Sequence, residues 1–142
     1  MELTHCALPH MLAQGRGAII NVASTAALQP DPYMAVYGAS KAFVLSFSEA
    51  LWAENRQRGV RVLALCPGAT ETAFFDVVAA PEAAVGKRMD PQAVVDEALL
   101  ALDRGRSSHV AGRPNRLLAW LPRLLPRQTV LGIVEGMLKP RT

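Results

Sequence analysis

Residues 17–24 read GAIINVAS, and residues 60–66 read VRVLALC. Both are short, continuous apolar runs, rich in β-branched side chains and bounded by Gly or a small polar residue. Runs of this length and composition predict strands buried on both faces, as in the interior of a parallel sheet. The segment between them has helical spacing, with Phe43, Phe47, Leu51 and Trp52 apolar and Glu49, Glu54 and Arg56 polar. Asp31-Pro32 predicts its start, as an N-cap followed by proline at the first helical position, and Gly59 predicts its end. Strand, helix and strand joined by short connections form the unit of an α/β sheet.

The same alternation continues outward. Ahead of the first strand, Leu3, Ala7, Leu8 and Met11 mark one face of a helix over residues 2–14, stopped by Gly15 and Gly17. After the second strand, PGATETAFFD (67–76) reads as a loop entering a short helix. Asp90-Pro91 repeats the cap-and-proline signal before Val94, Val95, Ala98, Leu99 and Leu102, and SSHVAG (107–112) is a third short strand. Residues 113–142 are helical in pattern, interrupted by Pro122 and Pro126. The expected architecture is α/β, with a doubly wound parallel sheet over residues 1–112 and an amphipathic helical extension of the same domain over 113–142.

Composition narrows the function. The chain has 142 residues, 51% hydrophobic and 19% charged, which suits one globular domain with its own core. A net charge of +3 without a dense basic surface or a recognisable module argues against a nucleic-acid partner. Cys6 and Cys66 are isolated, and His5, His10 and His109 share no metal-ligand spacing, so no metal site is expected. No secretory leader is legible, and no apolar run approaches the ~18 residues of a membrane span. A cytoplasmic location is the expectation. In the tail, Arg113, Arg116, Arg123 and Arg127 recur opposite Leu117, Leu121, Leu124 and Leu125. Such a face either packs over a cleft or makes weak contact with a membrane surface. The prolines favour packing.

The chemistry gathers around YMAVYGASK (33–41). Tyr37 and Lys41 stand four apart, hence on one helical face, and Ser24 lies at the carboxyl end of the first strand, where open α/β sheets place ligands. A phenol, an ammonium and a hydroxyl converging on one oxygen suit proton transfer to or from a carbonyl or alcohol. An ammonium about 4 Å away contributes ~4 kcal/mol at an effective dielectric of 20 but only ~1 in bulk water, so the site must be partly enclosed. Ser24 as an acyl-transfer nucleophile would need an elbow such as G-x-S-x-G, which NVAST is not. Tyr33 reads as a packing or substrate-side residue. Gly38, Ala39 and Ala42 are small enough for close approach of a cofactor or of a second helix.

With Ser24, the Tyr37-x-x-x-Lys41 pair and the later Pro67-Gly68 in register, the chain resembles the short-chain dehydrogenase/reductase family. That resemblance covers most of residues 1–112 and implies a Rossmann-like fold and carbonyl reduction or alcohol oxidation with NAD or NADP. It assigns Tyr37 as the acid/base, Ser24 to hold the substrate oxygen, and Lys41 to lower the phenol's pKa and bind the nicotinamide ribose. Pro67, Gly68, Thr70 and Thr72 fall where the family contacts the nicotinamide end. The match is to the family's carboxyl-terminal half. Its glycine-rich dinucleotide turn, its NAD/NADP-selecting residue and its active-site asparagine have no counterpart here, since Gly15-Arg16-Gly17 precedes a strand instead of following one. The resemblance therefore implies weak cofactor binding by these residues alone, and an open strand edge that recruits a second copy. The alternative is a shortened, non-catalytic remnant that acts through association with other chains.

Overall fold

The computed structural model describes residues 1–73 and 87–139. The chain runs α1 (Glu2–Gln14), β1 (Gly17–Val22), a 3-10 turn (Thr25–Leu28), α2 (Ala35–Asn55), β2 (Val60–Cys66), α3 (Pro91–Asp103), β3 (Ser108–Val110), α4 (Arg113–Leu124) and α5 (Arg127–Leu138). The strands form one parallel sheet in the order β1-β2-β3. This is the α/β, partial Rossmann-like arrangement expected. The short helix expected within residues 67–76 falls mostly on residues outside those described.

Helices cover both faces because β2 alternates its side chains between them. Leu63 and Leu65 point into a core completed by Val94, Ala98, Ala101 and Leu102 of α3 and by Ala111. The even-numbered positions of β2 face α2. The buried residues of α2 are Gly38, Ser48 and Asn55, not the aromatics that the periodicity singled out. Phe43 and Phe47 stack on each other, 5.9 Å between centroids, with Phe43 half-exposed. The close stripe admits small polar side chains because each hydrogen-bonds a carbonyl of its own helix: Ser48 Oγ donates to Val44 O (2.7 Å) and Asn55 Nδ2 to Leu51 O (2.7 Å).

Several local expectations need correcting. Burial on both faces holds for β2, but β1 is an edge strand among the described residues, and its side chains are half-buried or exposed. On α1 the buried residue is Thr4 and Leu3 is exposed. Asp31 does not cap α2, which begins at Ala35. Tyr33 takes a left-handed backbone (φ 65°), which breaks the path from Asp31 into the helix. Asp90 does cap α3, accepting from Ala93 N at 3.1 Å. Within α3, Ala101 is buried, whereas Val95 and Leu99 are exposed. Pro122 lies inside α4, and the tail breaks at Leu125-Pro126 instead.

Candidate active site

β1 ends at Val22, and the chain turns sharply at Ser24, whose Oγ caps the 3-10 turn by accepting from Ala26 N (3.2 Å). The turn is tied to the next strand's exit by Thr25 N donating to Pro67 O (2.9 Å). The carboxyl ends of β1 and β2 are thus clamped together, which is where a parallel sheet presents its ligand crevice.

Tyr37 occupies the first turn of α2 and Lys41 the second. Lys41 Nζ donates to Val22 O (3.1 Å), which ties the ammonium to the end of β1 and leaves two further N–H groups on the same nitrogen. The same nitrogen lies 5.7 Å from the centroid of the Tyr37 ring. Gly38 admits a close turn: a Cβ there would sit 2.9 Å from Cβ of Asp31. The small residue thus accommodates the chain's own 31–34 turn.

Beyond β2, Thr70 Oγ1 donates to Gly68 O (3.1 Å), and Thr70 pairs with Met89 in a single parallel bridge. Gly68 abuts Asn115 of α4; a Cβ on it would meet Asn115 Nδ2 at 2.5 Å. Asn115 Nδ2 in turn donates to Ala111 O (2.9 Å). The 67–72 loop is therefore braced from the tail.

Ser24, Tyr37, Lys41, Pro67, Gly68, Thr70 and Thr72 all line one cleft of about 550 Å³. Sequence reasoning missed Asp31 and Asn115 in its wall and the extent to which the tail closes it. Leu118, Leu121, Pro122 and Leu125 of the α4 region, with Ile133 and Met137 of α5, form the apolar side. The tail thus walls the same cleft that Lys41 lines. Tyr33 is an exposed residue outside the cleft wall, its hydroxyl donating to Glu135 Oε1 at 3.4 Å. Asn21 ties the elements together behind the site, donating through Nδ2 to Ser48 Oγ (2.9 Å).

Three ionisable groups near the cleft are displaced from their ordinary pKa values. Burial pushes the Asp31 carboxyl up, against a hydrogen bond from Gln29. Burial likewise pushes the Cys66 thiol to about 11, with Glu49 adding to the rise and a hydrogen bond from the Ser24 backbone opposing it. Burial acts to raise Glu97 as well, but the hydrogen bonds from His109 Nε2 (2.8 Å) and Gly112 N (3.1 Å), with the charge of Arg116, outweigh it and hold it low. This clamp fixes the β3–α4 junction and hence Asn115. Among the described residues no cluster of His, Cys, Asp or Glu could hold a metal ion.

A parallel sheet with helices on both faces and a Ser/Tyr/Lys cleft at its carboxyl edge defines a Rossmann-like class of protein. Residues 1–83 match the model of the short chain dehydrogenase family, and the chain belongs to that family. Over 134 residues it is 31% identical to the very-long-chain 3-oxoacyl-CoA reductase of Anas platyrhynchos, covering 94% of this chain and 41% of that one. A chain from a structural study of 7beta-hydroxysteroid dehydrogenase stereoselectivity superposes with a TM-score of 0.81 at 29% identity, over 94% of this chain and 53% of that one. A short chain dehydrogenase from Burkholderia cenocepacia J2315, solved in complex with NADP, gives 0.71 at 30% identity, over 93% and 51% respectively. The chain thus spans about two-fifths of the length of the duck relative and about half of the solved ones.

Proposed function

We propose that the chain carries the acid/base and substrate-binding part of an NAD(P)-dependent oxidoreductase, acting on the carbonyl or alcohol of a bulky apolar small molecule. The observation that carries this reading is the meeting of Ser24, Tyr37 and Lys41 in one cleft at the end of β1. Tyr37 Oη passes the proton to the substrate oxygen in reduction and takes it back in oxidation. The Ser24 hydroxyl donates to that oxygen and orients it. Lys41, anchored on Val22, places its positive charge beside the phenol, where it stabilises the charge that develops on Oη.

A nicotinamide cofactor, when bound, supplies or accepts the hydride. The donor set fits its nicotinamide-ribose end. Lys41 has two N–H groups for ribose hydroxyls, and Pro67, Gly68, Thr70 and Thr72 offer backbone and hydroxyl groups along one wall. No glycine-rich turn follows a strand among the described residues, so the pyrophosphate end has no cradle in them. The names of the similar proteins, an oxoacyl-CoA reductase and a hydroxysteroid dehydrogenase, support a large apolar substrate, as does the leucine-rich wall of the cleft.

The same reading treats residues 113–142 as part of one domain with 1–112, because both line the cleft. It gives the chain a second copy as partner, drawn to the open edge of β1. It places the protein in a reducing compartment, the cytoplasm, on the strength of two free cysteines. The test is turnover of bulky ketones followed by nicotinamide absorbance, in whichever preparation containing this sequence is active. Tyr37→Phe should abolish it with the fold intact, as judged by circular dichroism. Undiminished turnover in that variant would remove the mechanism.

A further inference from the structure

The helix α4 has two stripes with different company. Asn115, Ala119 and Pro122, spaced i, i+4, i+7, line the cleft. Leu117, Trp120 and Leu124, spaced i, i+3, i+7, lie outside that lining and are turned to solvent. Leu117 is 70% exposed, Trp120 61% and Leu124 77%, and no residue of α4 is buried. A run of large apolar side chains held in water on one helix face marks an interaction surface.

Charge indicates the occupant. From residue 104 to 134 the chain has Arg104, Arg106, Arg113, Arg116, Arg123 and Arg127 and no Asp or Glu. Arg113, Arg116 and Arg123 lie on α4 itself, and Arg127 opens α5. Arg123 stacks over the Trp120 ring, 5.4 Å from its centroid. A second copy closing on this stripe about a two-fold axis would bring the same arginines together with no carboxylate of the segment to meet them. A surface of anionic lipid answers both features: acyl chains take the leucines, the indole sits at the headgroup level, and arginines reach headgroup phosphates along their stems.

We propose that α4 and the 125–127 turn dock the protein on an anionic membrane surface, through Leu117, Trp120 and Leu124 with Arg113, Arg123 and Arg127. The helix lies flat in the interface. Among the described residues no helix is long and apolar enough to cross a membrane. The cleft opens beside the docked helix, so that docking shortens the path of an apolar ligand from lipid into the cleft. That consequence rests on the proposed oxidoreductase function; the docking itself does not, and its test involves no turnover.

The experiment is flotation of the 142-residue chain with vesicles of phosphatidylcholine alone and with added phosphatidylglycerol, at low and high salt. Flotation separates bound protein from aggregate, which sinks. The chain is expected to float with the anionic vesicles only and to be released by salt. With about a five-fold gain per arginine near such a surface, Arg123→Gln with Arg127→Gln should lower partitioning roughly thirty-fold. Leu117→Ser with Leu124→Ser, both at exposed positions, should abolish it without loss of the fold. Equal flotation with neutral vesicles, no flotation, or indifference to both variant pairs overturns the proposal. So does a fall in light-scattering mass of the Leu117→Ser/Leu124→Ser protein with no vesicle binding by the parent, which would identify a second copy as the occupant.

Discussion

At the scale of single residues, the cleft combines groups whose positions follow from helix spacing with groups brought in by turns. Tyr37 and Lys41 are of the first kind and Asp31 of the second. Asp31 is nearly buried, and burial disfavours its charged form. A carboxyl whose folded pKa lies above its unfolded one contributes stability that is full below the unfolded value and is lost as pH rises through the folded value. Asp31→Asn, which keeps the shape and removes the charge, should therefore raise the melting temperature at neutral pH. It should make little difference near about pH 3, where the acid is already neutral. Equal effects at both pH values would show that the burial carries no such cost. Lys41→Ala should reduce turnover in an active preparation while leaving melting nearly unchanged, since its loss removes one surface-side hydrogen bond worth about 1 kcal/mol.

At the scale of elements, two junctions hold the site. The α1–β1 and α2–β2 turns meet at Gly15 and Gly59. Gly59 has a left-handed backbone (φ 77°), and a Cβ on it would run into the Gly15 carbonyl oxygen, which is main chain and cannot swing aside. Gly59→Ala should cost at least about 2 kcal/mol in urea unfolding, combining the left-handed penalty with displacement of that turn. The β3–α4 junction is held by Glu97, which accepts from His109 and from the Gly112 amide. Its folded pKa is depressed, so its contribution is present above the ordinary carboxylate range and fades as pH falls through the folded value. Glu97→Gln should lower stability by about 2 kcal/mol at neutral pH, with parent and variant converging in acid. A constant gap across that range would sink the assignment.

At the scale of the whole molecule, the sheet buries β2 and, among the described residues, leaves β1 at an edge with its apolar residues half-buried or exposed. An edge of that kind templates pairing with another chain. The 142-residue chain should run in light scattering as a dimer or larger species at micromolar concentration. In fluorescence titrations with NADH and NADPH it should bind weakly, because the residues that fit a nicotinamide cofactor reach only one end of it. Micromolar binding by a monomer would show that another part of the cleft cradles the pyrophosphate.

The sequence by itself determined the order of elements, the parallel sheet and the residues that line the cleft at the strand ends. Apolar runs, cap signals and the i,i+4 rule depend on near neighbours in the chain, and Ser24, Tyr37, Lys41 and the 67–72 loop all lie at or beside the ends of elements those rules locate. Which face of each helix is buried was decided only by tertiary packing. Phe43, Val95 and Leu99 have the right periodicity and are exposed, whereas α2 buries Gly38, Ser48 and Asn55 and α3 buries Val94, Ala98, Ala101 and Leu102. The start of α2 was likewise decided by a left-handed turn at Tyr33 that no cap rule anticipates. Asp31 and Asn115 enter the cleft wall from a loop and a helix whose approach to the site is set by packing, and the Gly68–Asn115 contact joins residues too far apart in sequence for local patterns to register. Chain connectivity orders the elements, but only packing sets which of their surfaces meet.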